Sequence, residues 1–208
     1  MLDKYKTIAK DLRIENKIKD CKFITSIKKV RSVQDAQEFI RDISDEFSDA
    51  THNVYAFKVG LGDRADKGCS DDGEPAGSSG PPSLQAIEGE GVTNLAVVVT
   101  RYYGGTKHGV GGLIRAYGGE VREVIRVAGI IEKVRYTKLS ILVSYDNMGG
   151  VINDLEGNRG EIVNIEYKNE GVVITAIIKP TYLEAFKKRV VDVTRGGASF
   201  ELGEDYFR

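Results

Sequence analysis

The sequence predicts an α+β protein of two domains, residues 1–136 and 137–208. In the first part a continuous apolar strand runs into a glycine-rich loop and then into a helix, whereas the second part shows strands and helices in the order βαββαβ. The length of 208 residues permits one large domain or two small ones, since domains usually contain ~100–200 residues. The change of pattern near residue 137 favours two.

The composition is that of a folded globular chain, with 41% apolar and 29% charged residues. Lys and Arg total 30 against 31 for Asp and Glu, so the net charge of −1 excludes a uniformly basic nucleic-acid binder. The two cysteines, Cys21 and Cys69, are too few for a disulfide framework and lack the spacing of zinc ligands. Because there is neither a signal sequence nor an apolar run of ~20 residues, we expect a cytoplasmic protein without a membrane partner.

Basic residues are concentrated at the N-terminus, where residues 1–31 contain ten Lys or Arg and four Asp or Glu. Their mixture with apolar residues predicts an antiparallel hairpin of residues 5–14 and 18–30, joined near residues 15–16. Two interpretations of these lysines are open. They blunt an exposed strand edge, as in many sheet proteins, or they form a local surface for nucleic acid.

The rest of the first domain is predicted to alternate helices and strands. Ser32 begins a helix, with Asp35 three residues later as the acidic partner of a capping box, and residues 54–59 form a strand. Turn formers and prolines punctuate residues 60–83 and predict a long irregular loop, either functional or a flexible linker. The remaining predicted elements are a helix over residues 83–90, a buried strand over 95–100 and a helix from Gly112 or Leu113.

The second domain is predicted from the periodicity that follows residue 137. Its predicted elements are a strand over residues 138–145, a helix over 147–155, strands over 161–167 and 172–178, a helix over 181–194 and a closing strand over 198–202. Thr181 and Glu184 have the spacing of a capping box directly after Pro180. The order βαββαβ is typical of the ferredoxin-like fold.

Fifteen of the 24 glycines lie between residues 60 and 119, so they mark one region of the fold rather than a generally flexible chain. After the buried strand, glycines, a helix N-terminus and three basic side chains coincide, a combination that binds anions such as phosphate. The predicted anion- or nucleic-acid-binding residues are Arg101, Tyr102, Gly104, Gly105, Lys107, His108, Gly109, Gly111, Gly112 and Arg115. Their spacing matches neither the Walker A loop nor the G-x-G-x-x-G dinucleotide motif. The alternative is that the glycines only permit close packing of the helix on the sheet.

An acidic cluster, Asp71, Asp72 and Glu74, lies on the long loop. Such carboxylates hold Mg²⁺, act as general acids and bases, or simply cap turns and helices, and the sequence does not choose among metals. His52 is a structural histidine or a supporting, metal-capable residue of the same site. No catalytic triad or cofactor motif is present, so we expect no catalytic residue and no cofactor. Three tyrosines either stack on nucleic-acid bases or belong to the core: Tyr102, Tyr103 and Tyr117.

Three long strings carry a family resemblance: residues 70–77 (SDDGEPAG), 97–105 (VVVTRYYGG) and 107–117 (KHGVGGLIRAY). With residues 50–53 (ATHN) as an upstream motif, they resemble the signature of the IMPACT/YigZ family over roughly residues 17–130. The C-terminal segment is similar to the small second domain of YigZ-like members. Departures are few: Ser78-Ser79 stand where members usually have Thr-Ala, and His108 stands where an aliphatic residue is common.

The resemblance implies a ribosomal-protein-like βαβ sandwich followed by a ferredoxin-like domain, similar to two neighbouring domains of elongation factor G. Both folds are associated with RNA and ribosomes. Eukaryotic IMPACT-like members regulate translation initiation through an additional N-terminal domain, for which we expect this chain to have no room, so that role is not transferred. The resemblance implies no established enzymatic activity.

Three hypotheses for the function follow. The leading one is a non-enzymatic RNA- or ribosome-associated regulator of translation, with no preference for DNA, that binds phosphate groups through the glycine-rich loop. The second is an enzyme that acts on a small phosphorylated substrate with the acidic cluster. The third is a module for interaction with a protein partner.

Overall fold

A computed structural model describes residues 3–208 as a mixed α/β structure with five α-helices and two sheets. The described chain divides into two compact units, Tyr5–Glu132 and Lys133–Arg208, the latter together with residues 3–4. This division falls within one strand, Ile130–Val143. None of the helices in this part of the chain has the length and apolar character needed to cross a membrane.

The first unit is built on an antiparallel sheet. Its elements in chain order are β1 (Lys4–Ile8), β2 (Leu12–Ile18), β3 (Cys21–Lys29), α1 (Val33–Glu46), β4 (His52–Val59), β5 (Asp66–Ser70), α2 (Gly80–Gly89), β6 (Leu95–Tyr102) and α3 (Val110–Ala128). The sheet has the order β2-β3-β6-β4-β5, which places β6 at its centre. Ser32 caps α1 as predicted, with its side chain accepting a hydrogen bond from the Asp35 backbone N–H.

The central strand β6 explains the continuous apolar run of residues 95–100. Alternate side chains of a strand point to opposite faces, and both faces of this sheet are covered. Ala96 and Val98 pack against α1 in one buried cluster, whereas Val97 and Val99 pack against α2 and α3 in another. Arg101 continues the second series, so its side chain lies on the same face as α3.

The structure contains an antiparallel hairpin in the predicted region, but the predicted turn and the predicted first strand are wrong. The structure places the turn at residues 19–20, so that β2 pairs with β3 from Leu12 opposite Ile27 to Ile18 opposite Cys21. Lys19 adopts a positive φ of 53°, which a tight antiparallel turn requires and which the residue type does not announce. β1 is a separate strand that pairs with β7 (Ile130–Val143), the strand in which the division between units falls.

The predicted irregular stretch over residues 60–83 contains regular structure. β5 pairs with β4 at the sheet edge, and α2 begins at Gly80, three residues before the predicted start. Pro81 and Pro82 are tolerated because the first turn of a helix does not use its backbone N–H groups. Helix α3 likewise begins earlier than predicted, at Val110.

The second unit contains six elements in the order strand, helix, strand, strand, helix, strand. They are β7, α4 (Met148–Gly157), β8 (Glu161–Lys168), β9 (Gly171–Ile178), α5 (Pro180–Thr194) and β10 (Ser199–Phe207). The strands are antiparallel in the order β10-β7-β9-β8, and both helices pack on one face through a buried cluster. The predicted capping box of Thr181 and Glu184 is wrong, because the N-cap is Lys179 and no side chain caps α5.

A buried carboxylate, Glu120 on α3, makes stability depend on pH in a way the sequence did not predict. Glu120 is 4% exposed and accepts hydrogen bonds from Thr25 Oγ1 at 2.9 Å and Asn16 Nδ2 at 3.0 Å, but no cation neutralises it among the described contacts. Burial raises the pKa of this carboxyl above its ordinary value of 4.5. Protonation is therefore favoured in the folded state, and the protein loses stability as pH rises from 4.5 through the raised pKa.

We therefore expect Glu120→Gln to increase the free energy of unfolding at pH 8 by about 1 kcal/mol, because it removes the cost of the buried charge. At pH 4.5 the gain should shrink, since the raised pKa keeps more of the native carboxyl protonated there than at pH 8. Urea denaturation of both proteins at the two pH values measures this difference. An equal difference at both pH values would contradict the account.

Candidate functional site

The glycine loop, residues 103–109, leaves the end of β6 and is held by the turn between β2 and β3. A Cβ atom at Gly104 would lie 1.8 Å from the Asp20 carbonyl oxygen, so only glycine lets the two backbones approach this closely. Thr106 Oγ1 donates to the Asp20 carboxylate at 2.5 Å, and the Gly104 N–H is 3.5 Å from Cys21 Sγ. The loop is thus positioned by the hairpin that carries part of the basic N-terminal stretch.

The glycine loop ends at Gly109, which has φ +69° and directly precedes α3. The Gly109 carbonyl accepts the N–H groups of Gly112 and Leu113. Lys107 is exposed just before this helix end, and the Arg115 guanidinium lies over its first turn, 3.6 Å from a Cβ placed on Gly111. Neither Lys107 nor Arg115 forms an ion pair within residues 3–208, so both remain available to an anion beside a helix N-terminus.

Arg101 is not available in the same way, because it is buried against Glu74. The two side chains are 6% and 3% exposed, and Arg101 Nη1 donates to Glu74 Oε1 at 2.6 Å. Tyr117 Oη donates to the same oxygen at 2.7 Å, and burial raises the pKa of Tyr117. Arg101 Nη2 lies 3.2 Å from Cys21 Sγ. The expectation that Arg101 binds an external phosphate directly therefore needs correction: its charge is used to balance a buried carboxylate.

His52 lies on the other side of Glu74 with a defined tautomer. Its Nδ1 is 2.7 Å from the Asp72 carbonyl oxygen, which can only accept, so Nδ1 carries the proton. His52 Nε2 is then directed toward Glu74 Oε2 at 3.8 Å. Glu74 Oε2 accepts no hydrogen bond from the described residues, since Arg101 and Tyr117 both use Oε1. When His52 is neutral, its Nε2 and Glu74 Oε2 are therefore two neighbouring hydrogen-bond acceptors.

Asp71 and Asp72 have contacts that organise the backbone. The Asp71 carboxylate accepts hydrogen bonds from the backbone N–H groups of Gly77, Ser79 and Gly80 and from Ser79 Oγ, which caps α2 from outside the helix. Burial alone would raise the pKa of Asp71, but these bonds lower it. The Asp72 carboxylate accepts the Asn53 N–H at 2.5 Å. No group of three His, Cys, Asp or Glu side chains in residues 3–208 is arranged to hold a metal ion.

These residues surround a cavity of about 400 Å³, which we call the β6 cavity. Its lining residues are Thr51, His52, Glu74, Pro75, Arg101, Tyr103, Lys107, His108, Gly109, Val110 and Leu113. Tyr103 and Val110 are 45% and 54% exposed, so the cavity opens to solvent beside them. The Arg101 guanidinium carbon lies 5.5 Å from the centre of the Tyr103 ring. The lining of the β6 cavity is therefore mainly apolar with a few polar side chains, as in small-ligand sites.

His108 lines the cavity in surroundings that favour the neutral form of its ring. Burial, with the positive charges of Arg101 and Lys19 nearby, lowers its pKa. Its Nε2 and the Nε of Arg101 are both buried and lack a hydrogen-bond partner in the described structure. The ring packs edge-on against Phe23 with 6.1 Å between the ring centres, so His108 contacts the apolar core through its ring.

The structure gathers only part of the predicted site into the cavity. The predicted residues that line it are His52, Glu74, Arg101, Lys107, His108 and Gly109. The other predicted residues do not line it, and among them Tyr102 Oη donates to Asp49. Of the three tyrosines, Tyr117 is a fully buried core residue, whereas Tyr103 stands at the cavity mouth.

Sequence reasoning missed four lining residues, Thr51, Pro75, Val110 and Leu113. All four lie inside strings that carry the family resemblance, residues 50–53, 70–77 and 107–117, so each had a positional signal. Leu113 was predicted as a possible first residue of the helix, and its side chain is buried. The chemistry of individual positions gave no indication that they share one cavity.

Comparison with known proteins gives matches to both parts of the chain. The family model of the Impact N-terminal domain matches residues 19–125, and that of the elongation factor G C-terminus matches residues 136–208. The IMPACT family member YvyE of Bacillus subtilis is 33% identical over 98% of this chain and 93% of its own. The IMPACT family member YigZ of Escherichia coli is 33% identical over 90% of this chain and 92% of its own. A solved structure titled as the crystal structure of a hypothetical protein is 31% identical, with a TM-score of 0.65 over 98% of this chain and 99% of its own.

Proposed function

The chain belongs to the IMPACT family, and from this premise we propose that it is a non-enzymatic, RNA- or ribosome-associated protein that acts in translation. The observation that carries the proposal is the match of residues 136–208 to the C-terminus of elongation factor G. This chain joins that segment to an Impact N-terminal domain. The translation hypothesis expects both of these modules in one protein.

The proposed architecture is a ribosomal-protein-like βαβ sandwich over residues 1–136 followed by a ferredoxin-like domain over residues 137–208. In the second unit the strand order is β10-β7-β9-β8, that is, fourth, first, third and second along the chain. Two helices on one face of such an antiparallel sheet support the ferredoxin-like assignment.

The proposed RNA contact lies at the glycine loop and the N-terminus of α3. Lys107 and Arg115 are exposed cations without an ion pair among residues 3–208, and the first backbone N–H groups of α3 add a partial positive charge to the same place. Lys19, on the turn that supports the loop, lies close enough to contribute to the lowered pKa of His108. A local positive patch of this kind reconciles phosphate binding with a net charge of −1.

The test is the affinity for a short fluorescent single-stranded RNA, measured by anisotropy at several salt concentrations. Each phosphate contact contributes about 0.7 to the slope of log K against log salt, so Lys107→Ala with Arg115→Ala should lower the slope by about 1.4 and weaken binding at 50 mM salt at least ~10-fold. The matched control is Arg41→Ala with Arg64→Ala, which removes the same charge from two exposed residues that form no ion pair in the described part of the chain, one on α1 and one before β5. Equal losses in both double variants, or no loss in either, would contradict the proposed location.

A second candidate function, an enzyme that acts on a small phosphorylated substrate, is favoured by the volume of the β6 cavity and the pair of His52 and Glu74 within it. It predicts release of inorganic phosphate or another product from mononucleotides or sugar phosphates by the wild-type protein. His52→Ala should abolish that turnover. Absence of turnover in the wild type would remove this candidate.

A further inference from the structure

We infer that the β6 cavity accepts one unstacked nucleobase of the bound RNA and recognises its exocyclic amino group. This inference rests on the proposed function, since it names what the RNA inserts at that site. It would make the protein prefer bases with an amino group, which cytosine, adenine and guanine carry and uracil lacks.

The size and lining of the cavity suit a flat aromatic ring. Its volume of about 400 Å³ is ample for a single base, and Pro75, Val110 and Leu113 provide an apolar wall. Tyr103 stands at the mouth with 45% of its surface exposed. Single-stranded RNA is typically recognised by bases that are splayed out and stacked on aromatic side chains.

Two polar atoms in the cavity, Glu74 Oε2 and His52 Nε2, determine which group on the base can bind there. Glu74 Oε2 lacks a hydrogen bond from the described residues and lies 3.8 Å from His52 Nε2. The Asp72 carbonyl holds the His52 proton on Nδ1, so Nε2 of the neutral ring accepts as well. An amino group offers two N–H donors and can reach both acceptors, whereas uracil offers one ring N–H between two carbonyls, so one acceptor would face a carbonyl lone pair.

The charge balance favours a neutral amino group over an ammonium ion. Arg101 already neutralises the Glu74 carboxylate through a 2.6 Å hydrogen bond, and Lys107 lines the same cavity. The surroundings are therefore net positive, which opposes a second cation. An amino group conjugated to an aromatic ring carries no charge and brings an apolar face to the apolar wall.

Lys107 lies next to both the proposed base site in the cavity and the proposed phosphate site at the start of α3. Lys107 and Gly109 line the cavity and immediately precede α3, where the free N–H groups and Arg115 lie. A base inserted beside Tyr103 would leave its phosphate at this helix end. One nucleotide would thus occupy the cavity with its base and the proposed phosphate patch with its backbone.

The experiment compares labelled hexamers of cytidine and uridine by fluorescence anisotropy at one low salt concentration. The two hexamers share one backbone and their bases have the same size, so backbone contacts cancel in the ratio. Their pairing edges differ at two positions, since cytosine has an amino group where uracil has a carbonyl and an acceptor nitrogen where uracil has a ring N–H. We expect the cytidine hexamer to bind at least about fivefold more tightly, since discrimination at one base is worth about 1–3 kcal/mol. Equal or tighter binding of the uridine hexamer would overturn the inference while leaving the proposed function intact, whereas no binding of either RNA would count against both.

Two variants locate the preference. Glu74→Gln retains an oxygen for Arg101 and Tyr117 but places an amide donor where Oε2 stands, so the cytidine preference should be lost or reversed. Because this change also leaves Arg101 without its counter-charge, His52→Leu provides a second variant that removes one acceptor from a half-buried position. It should lower the cytidine-to-uridine affinity ratio at least about twofold, and Glu88→Gln, a surface carboxylate paired with Lys67, should leave the ratio unchanged. A wild-type ratio in a folded His52→Leu protein would overturn the inference.

Discussion

Glu74→Ala is expected to lower the free energy of unfolding by about 3–5 kcal/mol, because it leaves the Arg101 guanidinium buried without a counter-charge. Arg101 and Glu74 are 6% and 3% exposed and are joined at 2.6 Å, so water cannot replace the lost carboxylate at low cost. Tyr117, fully buried on α3, loses its acceptor in the same variant. The contact joins the long loop, β6 and α3, so its loss should loosen the wall of the β6 cavity as well.

Urea denaturation followed by circular dichroism measures this effect, with Glu88→Ala as the matched control. Glu88 also forms an ion pair, with Lys67, but the side chains are 37% and 40% exposed, and such pairs contribute no more than about 1 kcal/mol. The double variant of Glu74→Ala with Arg101→Met should recover much of the loss, since it removes the unpaired charge. Equal destabilisation by Glu74→Ala and Glu88→Ala would show that the buried pair does not stabilise the fold.

Gly104→Ala is expected to destabilise the protein by about 3 kcal/mol, because a Cβ at this position overlaps the backbone of the supporting turn. The new atom would lie 1.8 Å from the Asp20 carbonyl oxygen and 2.3 Å from its carbon. No rotation of a side chain relieves a clash with backbone, so the turn at residues 19–20 or the glycine loop must move.

Thermal unfolding checks this prediction against Gly119→Ala in α3. A Cβ at Gly119 meets no atom within 4 Å, and alanine is favoured over glycine in a helix by about 0.5–1 kcal/mol. We therefore expect Tm to fall by about 5–10 °C for Gly104→Ala and to rise slightly for Gly119→Ala. A rise in Tm for both variants would mean that the loop and the turn are not in contact.

The elements that sequence reasoning predicted well are those whose local pattern agrees with their tertiary surroundings. The apolar run of β6 is buried on both faces, and the capping residue Ser32 has its partner three residues away. β5 was missed because its residues Asp66–Ser70 are exposed or half-buried, and it is held by pairing with β4 rather than by a hydrophobic pattern. The turn at residues 19–20 was missed because Lys19 is an unusual residue for a positive φ.

The sequence indicated several of the segments that line the β6 cavity but not the contacts of their side chains. The period of two in β6 already places Arg101 on the buried face of Val97 and Val99, so a buried arginine needing a counter-charge could have been inferred. That the counter-charge is Glu74, 27 positions earlier, depends on how the long loop folds back. For the same reason Asp71 was assigned to a metal-capable cluster, although the structure uses it to cap α2.

The most direct measurement of the central claim is co-sedimentation of the protein with ribosomes. We expect the wild-type protein to pellet with ribosomes at low salt, and both added salt and the variant Lys107→Ala with Arg115→Ala to release it into the supernatant. The control variant Arg41→Ala with Arg64→Ala should pellet like the wild type. A wild-type protein that stays in the supernatant at low salt, or a Lys107 and Arg115 variant that pellets equally well, would contradict the account.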